Sequence, residues 1–265
     1  MTTTEATPNS LAGPKPPGAA KLGRVTPTHL RQALRRGWAD FKAAPGYGLF
    51  VALVYVIGGW AISAVAIATG QSYWLVFAAI GFPLIAPFTA IALYEVSRRL
   101  SEHTPLKARE IFGVVWQQRL GQLPSICALI VVAFLFWFFL AHMIFALFLG
   151  LSPMTNVSSS LEIYFSANGL MMLGFGTVVG AVFATILFML TVFSLPMLLD
   201  RDVDFMTAML TSFMSVQANP FVLLGWGGAL AALLFVAMIP GFFGLFLFLP
   251  WLGHASWHLY ALARK

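Results

Sequence analysis

The sequence predicts an all-α fold, a polytopic membrane helix bundle with six transmembrane helices. They are arranged as three repeats, each an interfacial amphipathic helix followed by a helical hairpin. Three observations predict it. Hydrophobic residues make up 60% of the 265 and charged residues 9%, with a mean hydropathy of +0.87, far from the roughly 25% charge of a soluble domain. Six apolar segments are long enough to span a bilayer. The 15 lysines and arginines fall on one side of the path those segments trace, as the retention of basic loops in the cytoplasm requires.

Residues 1–27 are rich in Thr, Pro, Ala and Gly and hold no apolar stretch to serve as a signal-peptide core. They are expected to be a disordered tail, leaving 28–265 as one membrane domain with repeat units of about 28–100, 105–200 and 203–262. From Thr28, the spacing of Leu30, Leu34, Trp38 and Phe41, with Arg31, Arg35 and Lys42 elsewhere on the wheel, predicts a basic amphipathic helix on the inner leaflet. Thr26 or Thr28 would cap it, Pro27 suits its first turn, and Pro45-Gly46 ends it. Similar helices are expected over about 106–119, with Ile111, Val114 and Val115 as the apolar stripe, and over about 203–218, with Phe205, Met209, Phe213 and Val216.

The spans are expected near 47–69, 73–97, 124–149, 170–199, 221–239 and 241–260. The fourth is longer than a perpendicular crossing needs, which predicts a tilt or an extension past the interface. Ile239-Pro240-Gly241 forces a tight reversal between the last two. Pro45, Pro124 and Pro220 follow the three interfacial helices in turn, which is the repeat. Seven basic residues precede the first span, five lie between the second and third, Arg201 follows the fourth, and Arg264 and Lys265 end the chain. The links near 70–72, 150–169 and 240 carry none, so both termini are expected in the cytoplasm. The same asymmetry, with anionic headgroups as its partner, accounts for a pI near 9.8 without nucleic acid.

Each inward span becomes polar at its end. Tyr94, Glu95 and Arg98 close the second, Asp200, Arg201 and Asp202 the fourth, and His254, His258 and Tyr260 the sixth. If the repeats pack about one centre, these nine would line a cytosol-facing polar pocket. Plainer roles compete. Glu95 can pair with Arg98 or Arg99 along its own helix, Asp200, Asp202 and Asp204 can cap the helix that follows them, and the histidines can face aromatic rings. His254 and His258 share a helical face at i and i+4, yet would need further donors for a metal, and no HExxH motif accompanies them. His142 is the one histidine placed deep in a span, where a neutral ring can bond a neighbouring helix. The lone Cys127 excludes an intramolecular disulfide and cysteine-based zinc or iron–sulfur sites within one chain. No catalytic constellation, metal site or cofactor site is predicted.

The stretches GWADFKAAPGYGLF (37–50), FPLIAPFTAIALYEVSRRL (82–100), DRDVDFMTAMLTSFMSVQANPFVLLGWG (200–227) and IPGFFGLFLFLPWLGHASWHLYALARK (239–265) resemble an uncharacterised proteobacterial integral-membrane family. Some members of that family are labelled putative cytochrome c oxidase subunit I. The resemblance implies six spans in the bacterial inner membrane. A haem-copper subunit needs many more spans and a full set of deep histidine ligands, and of the five histidines here only His142 is deep. Two functions follow as expectations. One is a non-enzymatic accessory, assembly or scaffold protein whose partners are membrane lipids and other membrane subunits. The other is a small-solute or ion carrier using the polar pocket.

Overall fold

The computed structural model describes residues 15–70, 75–150 and 162–265. Every regular element among them is a helix. In chain order these are α1 (Pro27–Ala43), α2 (Pro45–Thr69), α3 (Leu75–Ser101), α4 (Ala108–Gln118), α5 (Leu123–Leu149), α6 (Glu162–Phe165), α7 (Ala167–Thr191), α8 (Ser194–Asp200), α9 (Phe205–Ala218), α10 (Pro220–Met238) and α11 (Leu245–Ala263). The expected links at 71–72 and 151–161 and residues 1–14 of the expected tail lie outside the described residues.

Four stretches are long and apolar enough to cross a membrane: Pro45–Thr69, Leu123–Leu149, Ala167–Asp200 and Pro220–Met238. Against the six expected, α3 and α11 are not among them. Both are long, at 27 and 19 residues, and the C-terminal half of each carries the polar groups described below. Prolines stand in the first turns of α2, α5 and α10, where the missing amide is no loss.

The long fourth segment, Ala167–Asp200, is interrupted by a turn. Helix α7 stops at Thr191, Val192 and Phe193 form a turn, and α8 restarts with Pro196 near its beginning. Ser212 of α9 mends the break: its hydroxyl donates to the Met189 carbonyl at 2.7 Å and accepts from the Phe193 amide at 3.1 Å. One buried side chain thus supplies both backbone partners that the interruption removes.

Helix α1 is capped by Thr26, whose hydroxyl accepts from the His29 amide. Small residues beside the expected apolar stripe seat the helix on α11. Ala33 and Gly37 are buried, and the Trp251 indole of α11 donates to the Leu34 carbonyl at 2.9 Å. A Cβ at Gly37 would meet the Ala255 backbone nitrogen at 2.5 Å, so the two helices touch main chain to main chain. The stripe of α4 likewise buries Ile111 against Val96 of α3 and Ala44.

Residues 15–26, the described part of the tail expected to be disordered, run as an extended strap across the helix ends. Gly18 N–H donates to the Asp202 carbonyl at 2.9 Å and Asp202 N–H to the Pro16 carbonyl at 3.0 Å. Gly23 N–H donates to Ala263 at 2.7 Å, and Lys265 N–H to Lys21 at 3.0 Å. Asn219 accepts the Val25 amide at 3.0 Å and donates to the Ser215 carbonyl at 2.9 Å. Backbone bonds carry the strap, so a composition of Pro, Gly and Ala does not reveal it.

Buried side chains concentrate where the ends of α3, α8 and α11 meet this strap, hereafter the polar end: Ile91 to Val96, Met197 to Leu199 and Leu252 to Tyr260. Elsewhere the helices expose large apolar residues such as Phe139, Val178, Phe221 and Phe235, far more than water tolerates and what hydrocarbon favours.

Candidate functional site

Helical spacing brings Arg98 and Arg99 back over Glu95 at i+3 and i+4. Glu95 is fully buried. Its carboxylate accepts from Arg98 Nε at 2.8 Å, Arg98 Nη2 at 2.9 Å and Arg99 Nε at 2.7 Å. Arg99 continues the chain of charge into α4, donating to Glu110 at 2.7 Å and to the Pro105 carbonyl at 3.0 Å. The Glu110 carboxyl is held below its ordinary range by the Arg99 hydrogen bond and then by that of Lys107.

His254 and His258, four apart on α11, turn to different partners. His254 Nδ1 meets the Ser97 hydroxyl of α3 at 2.8 Å, while its Nε2 is buried with no partner among the described residues. His258 Nε2 meets Asp40 of α1 at 2.6 Å. Between them Trp257 stacks on Tyr94, ring centres 6.2 Å apart, and packs at 5.8 Å on Tyr260.

Tyr260 donates its hydroxyl to Asp200 of α8 at 2.7 Å. Arg264 donates to the other carboxylate oxygen, and Arg201 lies 3.6 Å from Asp200. Asp202 enters through its backbone, as the anchor of the strap. Asp204 caps α9, accepting from the Thr207 amide at 2.9 Å, and the Thr207 side chain and then that amide hold its carboxyl below the usual range. The three aspartates thus divide among a charge pair, a backbone bridge and a helix cap. Among the described residues no three of His, Cys, Asp and Glu form a set of metal donors.

Lys15 of the strap donates to the Leu198 carbonyl at 2.8 Å. Burial and then the neighbouring Arg98 lower its ammonium from the ordinary value, against the attraction of Asp202, Glu95 and Asp200. It therefore senses both the Glu95 and the Asp200 groups, which helix packing of α3, α8 and α11 on one another brings to the same end.

The nine expected residues stand at this end but are taken up singly or in pairs: Glu95 with Arg98, Asp200 with Tyr260, His254 with Ser97, His258 with Asp40, and Asp202 through its backbone. Among the described residues, the cavities beside α2, α5, α7 and α11 are lined by other residues. Lys15, Asp40, Ser97, Arg99 and Glu110 belong to the cluster and were not singled out as site residues from the sequence. Arg99 alone had a signal, its i+4 spacing from Glu95. Asp40 and His258 meet across 218 positions, which no local pattern encodes. His142 lies apart in α5, its Nδ1 2.8 Å from the Phe138 carbonyl, beside a cavity between α5 and α7.

Residues 75–200 match the family described as "Predicted integral membrane protein (DUF2189)", a stretch running from α3 through α8 that contains Tyr94, Glu95, Arg98 and Asp200 but neither α1 nor α11. No curated protein and no solved structure matches the chain. With four stretches apolar and long enough to cross a bilayer, that similarity identifies an integral membrane protein.

Proposed function

We propose that the chain is a non-enzymatic accessory, assembly or scaffold protein of a bacterial inner membrane. In this reading α3 and α11 also cross, giving six spans in three units (α1 with α2 and α3; α4 with α5 and α7; α9 with α10 and α11). Both termini lie in the cytoplasm with the basic residues. The observation that carries the reading is the mutual neutralisation of the polar end. Glu95 is held by two arginines, Asp200 by Tyr260 and Arg264, and His258 by Asp40. A carboxylate whose lone pairs are taken up by its own chain has little left to offer a solute, so the cluster serves as a latch between helices. The apolar faces of α5, α7 and α10 remain for lipid and for another membrane subunit.

The test is purification from native membranes in mild detergent after in-cell crosslinking. A reproducible membrane-protein partner, lost when exposed α5 residues such as Phe136 and Phe139 are changed to Ala, supports the reading. Recovery of the chain always alone counts against the partner version.

A carrier is the second reading, favoured by a cavity of about 200 Å³ lined by α2, α3, α10 and α11. Tyr55 and Thr89 meet there through their hydroxyls at 2.8 Å, and Leu93, Leu252 and Gly253, chain neighbours of Tyr94 and His254, line it. Saturable uptake of an ion or metabolite into proteoliposomes, lost in Tyr55→Phe, would favour this reading over the first.

A further inference from the structure

The second half of the molecule contains a groove that the latch does not use. Helices α5 and α7 pack together and leave two adjoining cavities of about 580 and 260 Å³. Trp137 and Gly180 line both, so the two meet at that point. Their summed size is that of a site for a small organic ligand, within the roughly 300–1,000 Å³ such sites occupy. Most of the wall is apolar, from Phe134 and Phe183 at one end to Phe145 and Met172 at the other.

His142 breaks that apolar lining, along with the hydroxyl-bearing Tyr164 and Thr177, and is the one side chain there with a ring nitrogen free to accept. It stands seven residues from the end of α5, roughly 10 Å along the axis at 1.5 Å per residue, and so inside the hydrocarbon of a spanning helix. The Phe138 carbonyl has only lone pairs to offer, so the 2.8 Å contact with Nδ1 requires a proton on Nδ1. In the neutral ring Nε2 is then a bare acceptor. Among the described residues it has no hydrogen-bond donor. The ring is further fixed by the Phe138 side chain, with centres 4.2 Å apart. An oriented acceptor in an apolar groove selects a ligand that brings its own donor, because an unmet hydrogen bond in lipid costs free energy that a hydroxyl recovers.

We infer that the α5–α7 groove binds a hydroxylated apolar lipid, an alcohol or phenol carrying a hydrocarbon chain, whose hydroxyl donates to His142 Nε2 while its body lies along the aromatic wall. Two substitutions separate the parts of this claim. His142→Phe keeps a ring of similar size and removes the acceptor. Gly176→Leu fills the larger cavity: a Cβ there meets only Ile144, at 4.0 Å, so the added side chain enters open space and helix α7 tolerates it.

The experiment reconstitutes the full chain in phosphatidylcholine nanodiscs and measures retention of radiolabelled 4-nonylphenol against protein-free discs. Its methyl ether, 4-nonylanisole, serves as the probe lacking a donor. The wild type is expected to bind the phenol saturably and about tenfold more tightly than the ether, the scale of one hydrogen bond. His142→Phe should bring the phenol down to the ether's affinity. Gly176→Leu should abolish saturable binding of both with an unchanged unfolding temperature. Equal binding of phenol and ether by the wild type would mean that the groove holds acyl chains without selection, and would overturn the inference. Absence of saturable binding, or a preference that survives in His142→Phe, would overturn it as well.

Discussion

Gly37 of α1 and Ala255 of α11 touch through their main chains, so closely that a Cβ on Gly37 would lie 2.5 Å from the Ala255 nitrogen and 2.8 Å from its Cα. Backbone cannot swing aside as a side chain does. Gly37→Val is therefore expected to force α1 off α11 and to cost about 3 kcal/mol. Gly46→Ala, with nothing within 4 Å of its Cβ, should cost far less. Denaturant unfolding in detergent measures both, and equal midpoints for the two variants would refute the close packing.

Glu95 tests the latch from the side of charge. Substituting Gln leaves Arg98 and Arg99 beside a buried neutral group, and removal of one partner from a buried pair typically costs about 3–5 kcal/mol. Glu102 also faces Arg98, but at 3.5 Å with half of its side chain exposed. Glu102→Gln should cost no more than about 0.5 kcal/mol. The contrast between the two, read from unfolding midpoints, is the expected result.

The Glu110 carboxyl predicts a pH dependence of defined sign. Arg99 and then Lys107 depress it in the folded protein below its ordinary value of 4.5. A depressed carboxyl stabilises the fold above its unfolded value, and that contribution fades as pH falls through the lower, folded one. Wild type and Glu110→Gln should therefore differ in stability by a constant amount at neutral pH, and the gap should close below pH 4.5. A gap that widened on acidification would contradict the pairing with Arg99.

Much of this architecture is legible in the sequence because hydrophobic runs and prolines are local signals. The span expected at 124–149 is α5 at Leu123–Leu149, and that at 221–239 is α10 at Pro220–Met238. The break after Thr191 is not legible, since Val192 and Phe193 are as apolar as their neighbours and the side chain that mends it, Ser212, comes from another helix. The expectation that Glu95, Asp200 and His258 share one end rests on an assumed common centre of the repeats, and their partners Asp40 and Lys15 lie in segments whose composition reads as lipid surface and as disorder. A polar pocket and a polar latch draw on the same residues. Only the distances between them, set by tertiary packing, tell the two apart.

The latch is tested most directly at Ser97, which is fully buried under His254 at 2.8 Å. In a Cys127→Ser background, Ser97→Cys is exposed to a water-soluble maleimide in inside-out membrane vesicles. A closed latch predicts no labelling of the folded protein, rapid labelling after denaturation, and intermediate labelling when residues 1–25 are deleted. Fast labelling of the intact chain, slowed by a small ionic solute, would instead reveal an open binding pocket and contradict the account.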